Sequence, residues 1–389
     1  MNKHDFDAPV DRRGTDSLKW EKYKDRDIQP LWVADMDFRS PPVVVEALRK
    51  RIEHGIFGYT VPPPALTETI CRHLTRQYGW EAAPEWILWL PGLVTGLNLS
   101  CRAVGAKGSG VITSVPIYPP FLRAPRLADK KRIDFSMIRH PDGRWGMDLD
   151  ELAGKITPQV KLLLLCNPHN PTGRMFDKQE LIALASVCEK YGTVICSDEI
   201  HCDLVLEPDR RHVPLAAIDP VIARRVITLM APSKTYNIPG LGVSFAVIPD
   251  EGLRKRFRLT MEGIVPAVNT LGYVAAMAAY SGGKGWLDEL LPYLRRNRDL
   301  VEQKIRNIDG LSMAHVEATY LAWIDCRDAG LDNPATFFEQ AGVGLSDGSD
   351  FGAPGFLRLN FACRRVKLEE CLNKMHWAMA QRHGTTVKA

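Results

Sequence analysis

The sequence predicts an α/β protein whose mostly parallel central sheet is covered by helices on both faces. Three observations predict it. Between about 92 and 250, short apolar runs recur at 110–115, 161–166, 193–197, 226–230 and 245–248. Continuous rather than alternating apolar runs suit parallel strands buried on both faces. Helical patterns lie between several of them, and strands alternating with helices build such a sheet. The composition agrees: 389 residues, 45% hydrophobic and 25% charged, describe a globular chain with ample length for a large core and two or three domains.

Residues 1–40 read as an irregular arm, rich in Pro, Asp and Arg, with short apolar patches at Trp20 and Leu31-Trp32-Val33. Ser40 followed by Pro41-Pro42 marks a helix start, and Gly55 a plausible stop after Val44, Ala47, Leu48 and Ile52 at helical spacing. Pro91 to Asn98 looks like a glycine turn opening a helix, with free backbone N–H groups suited to a phosphate. The glycines of 105–110 precede a strand and read as a turn. Asp177 and Glu180 form a capping box for a helix that runs to Lys190. A long helical pattern over 285–305 contains Pro292, which is expected to kink it. It leads to a smaller unit with strands near 311–316, 320–325 and 356–360 and a last helix from about 367 to 382.

Charge and cysteine usage narrow the classes of function. Fifty basic against 46 acidic residues leave a net charge of +4, with no basic run interleaved with aromatics, so nucleic acid is not an expected partner. Nine cysteines, an odd number without a CxxC pair, read as reduced buried thiols of a cytoplasmic protein, not as disulfides or a zinc site. The charged N-terminus carries no signal-peptide pattern, and no apolar run reaches membrane-spanning length, so no membrane association is expected.

Several polar residues sit where such a sheet holds ligands, just beyond strand ends. Lys234 follows the run 226–230, and a desolvated lysine there is a nucleophile toward carbonyls. Asp198 follows 193–197, and a buried carboxylate needs a cationic partner. Asn167-Pro168-His169-Asn170-Pro171-Thr172-Gly173 is a rigid turn after 161–166. Arg358 and Asn360 share one face of the strand 356–360, where an arginine seeks a bidentate acceptor such as a carboxylate. Taken singly, each has a plainer reading: a solvated loop lysine, a helix cap, a bare turn, an internal salt bridge. His201-Cys202-Asp203 matches no standard metal-ligand spacing, and no metal is expected.

Together and in this order, the pieces resemble fold-type I pyridoxal 5′-phosphate (PLP) enzymes of the aminotransferase class I/II group. More narrowly, they resemble the carbon–sulfur lyases of the cystathionine β-lyase (MalY/PatB) type. The resemblance spans the chain and rests on residues 32–38, Phe57-Gly58-Tyr59-Thr60, and residues 167–173, 197–201, 231–237 and 356–362. It implies an aspartate aminotransferase-like fold, with a mostly parallel sheet in a large PLP-binding domain (46–285). A smaller α+β domain (286–389) and the arm (1–45) complete it. It also implies roles. Lys234 would carry PLP as a Schiff base, Asp198 would pair with the ring nitrogen, and Asn170, with His201 nearby, would bond the ring hydroxyl oxygen. Tyr118 would stack on the ring; Gly92, Leu93, Val94 and Ser233 would hold the phosphate. Tyr59 would reach the phosphate of a neighbouring subunit, which implies a homodimer with shared sites. Arg358 would bind the substrate carboxylate, and Ala34 and Asp35 would line the entrance.

One departure separates the two branches. Aminotransferases of this group commonly place a phosphate-binding arginine eight residues after the lysine, where this chain has Gly242. The expected reaction is therefore α,β-elimination of L-cystathionine or a related cysteine S-conjugate to pyruvate, ammonia and a thiol. Amino transfer on the same scaffold is the alternative. A racemase and a non-catalytic regulator are more distant ones.

Overall fold

The computed structural model describes residues 4–382. Eight strands form one mixed sheet in the order Ile87–Leu90, Ser244–Val247, Val226–Met230, Val194–Asp198, Val160–Cys166, Gly110–Val115, Lys131–Arg139 and Trp145–Met147. The five central strands, from Val226–Met230 to Lys131–Arg139, run parallel. Both faces are covered, and the side-chain alternation shows it. Val226 and Met230 pack in one apolar layer with the helix Pro64–Tyr78, whereas Ile227 and Leu229 pack in the opposite layer with the helix Leu93–Ala103.

The expected element starts and stops recur. The first long helix is Pro42–His54, ended by Gly55 at φ 73°, and Asp177 with Glu180 closes the capping box of Lys178–Glu189. The pattern over 285–305 is one helix, Lys284–Arg306, continuing through Pro292. The run at 245–248 needs correction, because the strand Ser244–Val247 is antiparallel to both neighbours. A parallel return needs a crossover of a dozen or more residues, usually a helix. Segment 231–243 holds only the short 3₁₀ turn Pro239–Leu241 and is folded up over the carboxyl edge of the sheet, so the chain re-enters in the reverse direction.

A second sheet, Ser312–Met313, Leu321–Asp325, Phe356–Asn360 and Ser346–Asp347, lies beyond the long helix and is antiparallel throughout. Its core takes in the arm: Phe6, Leu31, Met36 and Phe38 pack with Leu294, Leu321, Leu357 and Leu359. The arm also pairs in parallel with the far end of the chain, Gln29 opposite Val343 and Pro30 opposite Gly344.

Candidate active site

Four neighbouring parallel strands end at one edge of the large sheet, and each hands a polar or aromatic residue to the same cavity. Val226–Met230 leads to Ser233 and Lys234, Val194–Asp198 ends on Asp198 and leads to His201, Val160–Cys166 leads to Asn170, and Gly110–Val115 leads to Tyr118. Gly92, Leu93 and Val94, at the start of the helix Leu93–Ala103, line the same space of about 180 Å³. No side chain caps that helix start, so its first amides face the cavity as an anion site. An adjoining cavity of about 390 Å³ shares Ala34, Tyr118 and Lys234 and extends past Trp32 and Phe351 to Arg358.

Burial dominates the electrostatics of this cavity. Asp198 is buried, and its side chain accepts one hydrogen bond, from the Ile200 amide at 3.1 Å; among the described residues no cation lies within ion-pair reach. Burial pushes its pKa up to about 7, against which Ile200 and Lys234 pull only partly. Lys234 donates to the Ala34 carbonyl at 2.7 Å. Burial brings its amine down to about 8, so a sizeable neutral fraction exists near pH 8. His201 is held neutral by burial, with Lys234 and Arg358 adding repulsion; its ring meets Tyr320 edge-on at 5.9 Å and its Nδ1 has no partner.

Among the described residues, Arg358 is not half of an internal salt bridge. Its guanidinium donates to Asn170 Oδ1 at 3.0 Å, to the Trp32 carbonyl at 2.8 Å and to Ser346 Oγ at 3.4 Å, lies 4.7 Å over the Phe351 ring, and leaves Nε unpartnered. Asn360, two residues on, donates to the Val33 and Asp35 carbonyls at 2.5 and 2.6 Å. The arm is thereby stitched across the strand Phe356–Asn360, which places the Ala34 carbonyl at the lysine.

Two expected site residues do not line the cavities of this chain. Asp35 turns its carboxylate away, into ion pairs with Arg12 at 2.7 Å and Lys19 at 3.6 Å. Tyr59 is fully exposed in the segment after Gly55 and lines neither cavity. The structure adds partners that the sequence reading missed. Tyr320 donates its hydroxyl to the Ala34 carbonyl at 2.9 Å, and buried Lys19 pairs with Asp37 at 2.8 Å. Tyr320 stands just before the strand Leu321–Asp325, in a stretch whose strand character is legible, but nothing local in the sequence marks a bond spanning 286 residues.

A family model for aminotransferases of class I and II matches residues 27–375. The chain belongs to that family. Within it, the chain is 35% identical to cystathionine β-lyase PatB of Bacillus subtilis strain 168, over 96% of this chain and all of that one. Among solved structures, the crystal structure of OvoB is similar at a TM-score of 0.94 with 47% identity, covering 97% of this chain and 99% of that one. The PLP-bound C-S lyase from Staphylococcus hominis is similar at a TM-score of 0.90 with 32% identity, covering 97% and 98%.

Proposed function

We propose that this protein is a PLP-dependent carbon–sulfur β-lyase, converting L-cystathionine or a related cysteine S-conjugate and water to pyruvate, ammonium and a thiol. The observation that carries the reading is Asp198, a buried carboxylate without a cation, in one cavity with a buried amine of lowered pKa and an uncapped helix start. Those residues fit PLP. Lys234 would hold its aldehyde carbon, Asp198 its ring nitrogen, Asn170 its ring hydroxyl oxygen, and Gly92, Leu93, Val94 and Ser233 its phosphate, with Tyr118 on the ring face and His201 beside it.

PLP, when bound, supplies an electron sink for the pair of electrons left as an α-proton departs. The protein's own residues do the rest. Asp198 keeps a proton on the ring nitrogen by charge pairing in a low-dielectric site. Arg358 presents its free Nε and its fork to the substrate carboxylate and fixes the α-carbon near Lys234. Lys234, its amine partly neutral, takes the α-proton, and the sulfur leaves the β-carbon with the bonding pair as a thiolate. Trp32, Ala34 and Phe351 wall the space for the sulfur-bearing group, while Asp35 acts through the arm that it anchors.

Gly242 favours the lyase reading over the aminotransferase one. It sits at φ +55°, and a Cβ there would lie 2.9 Å from the Pro91 carbonyl oxygen, so no arginine fits without displacing the helix start. We further propose a homodimer in which Tyr59 reaches the phosphate of the partner's site. Tyr59 lies fully exposed beside Ile56, Phe57 and Val61, each more than half exposed, a patch that association would cover. In this reading the large domain is 46–285, the small one 286–389, with the arm 1–45 shared. Nine unpaired thiols, eight of them buried, support a reducing, cytoplasmic setting.

The test is direct. Purified protein with PLP should absorb in the visible and release pyruvate from L-cystathionine with no keto acid added. Lys234→Ala should remove both signals. Pyruvate release by that variant, or a strict need for a keto-acid acceptor in the wild type, overturns the reading.

A further inference from the structure

Lys234 is reached from the cavity on one side, and its turn is tied down on the other. Thr235, the next residue, is fully buried and donates Oγ1 to Asp203 Oδ2 at 3.2 Å. Asp203 is itself buried and takes two more contacts on Oδ1: the Tyr78 hydroxyl at 2.5 Å and His73 Nε2 at 3.4 Å. These donors hold its carboxyl below the usual range although burial opposes them, so the acceptor is an anion. Asp203 belongs to the loop that leaves the strand Val194–Asp198; the strand ends on Asp198, and the loop supplies His201. One strand end and its loop therefore face the cavity with two side chains and grip the lysine turn from behind with a third.

On the reading given above, we infer that Asp203 is a positioning residue: through Thr235 it fixes the turn of Lys234 relative to Asp198. The bond is charge-assisted and buried, so its loss leaves the turn without its rear anchor and Asp203 Oδ2 without this donor. The reaction needs the amine within reach of both the cofactor aldehyde and the α-proton. A shift of about 1 Å in a reacting group can cost about 100-fold in rate. The turn's own backbone bonds, from the Tyr236 amide to the Pro232 carbonyl and the Ile238 amide to the Ser233 carbonyl, do not reach the sheet-side loop, and the bonds of Asn237 with Met36, Phe38 and Ser40 lie on the arm side, so none replaces it.

Three variants test this in the PLP-loaded protein: Thr235→Val, Thr235→Ser and Asp203→Asn. Thr235→Val keeps the side-chain shape and removes the donor. It should remain folded and PLP-bound, lose roughly 10- to 100-fold in kcat with KM changed by less than about threefold, and shift the pH midpoint of the visible absorbance band. Thr235→Ser should restore both. Asp203→Asn should behave as Thr235→Val does; if it does not fold, Thr235→Val decides. A folded, PLP-bound Thr235→Val protein with wild-type kcat and absorbance midpoint overturns the inference. Should the wild type bind PLP but lack lyase turnover, the absorbance midpoint alone decides. Should it take up no PLP, the proposed function fails, and amide hydrogen exchange over residues 232–238 decides instead. Faster exchange in Thr235→Val supports the tether, and unchanged exchange removes it.

Discussion

Arg358 illustrates how little of a site residue's chemistry lies in its charge alone. Its fork is already oriented by the Asn170 side chain and the Trp32 carbonyl before any carboxylate arrives. Lysine carries the charge but not the planar fork. Arg358→Lys should therefore raise KM for L-cystathionine at least about tenfold, about 1.4 kcal/mol or more of binding, while PLP absorbance stays. An unchanged KM would remove the arginine from the substrate site. Asp198 gives a pH prediction for the PLP-free protein. Its pKa rises from an ordinary 3.8 to about 7 on folding. The folded state thus binds the proton more tightly, and this contribution to stability is present below about pH 4 and lost as pH rises through about 7. Lys234 acts in a separate window: its pKa falls from 10.5 to about 8, so its contribution is present above 10.5 and lost as pH falls through about 8. Between pH 5 and 7.5 the Tm of the PLP-free wild type should fall more than that of Asp198→Asn, as measured by calorimetry. Equal slopes would mean that Asp198 is not carrying the strain. The sequence disclosed Lys234, Asp198 and Asn170 because each stands directly beyond a buried apolar run. It could not disclose Asp203 or Tyr320, whose bonds join segments far apart in the chain and follow no local period.

At the scale of elements, the helix start at Leu93 and the turn at Gly242 form one device. Gly242 lies in the left-handed region with the Pro91 carbonyl oxygen 2.9 Å from where a Cβ would sit, and Pro91 leads into the amides proposed to hold the phosphate. Gly242→Ala adds a backbone penalty of about 1 kcal/mol and pushes on Pro91. It should lower Tm by a few degrees and weaken PLP binding several-fold in equilibrium dialysis; unaltered PLP affinity would separate the glycine from the phosphate site. Legibility at this scale followed pattern strength. The run 226–230 and the strand Phe356–Asn360 match the structure residue for residue. Lys131–Arg139 escaped notice because its exposed and buried residues mix, with Lys131, Arg132 and Arg139 facing solvent. The direction of Ser244–Val247 was misjudged because an apolar run carries no sign of which way the chain runs through it; the folded connection over 231–243 decides that.

At the scale of the molecule, the proposed homodimer can be tested by complementation. Lys234→Ala and Tyr59→Ala should each be nearly inactive alone. Refolded together in equal amounts, they should recover roughly a quarter of wild-type sites, because random pairing rebuilds one intact site in each mixed dimer. No recovery, with mixed dimers shown by mass spectrometry, would confine Tyr59 to its own chain. Monomer size in solution would end the dimer altogether.

The pairing of Gln29 with Val343 has a consequence for how the protein is made. While the chain is still on the ribosome, its opening segment has no strand to join, and Ala34 cannot take its place beside Lys234 until the strand carrying Arg358 has emerged. Apolar Leu31, Met36 and Phe38 lack their partners Leu321, Leu357 and Leu359 until late in translation. The nascent protein is thus catalytically silent until its tail arrives, and most open to aggregation or chaperone capture just before it does.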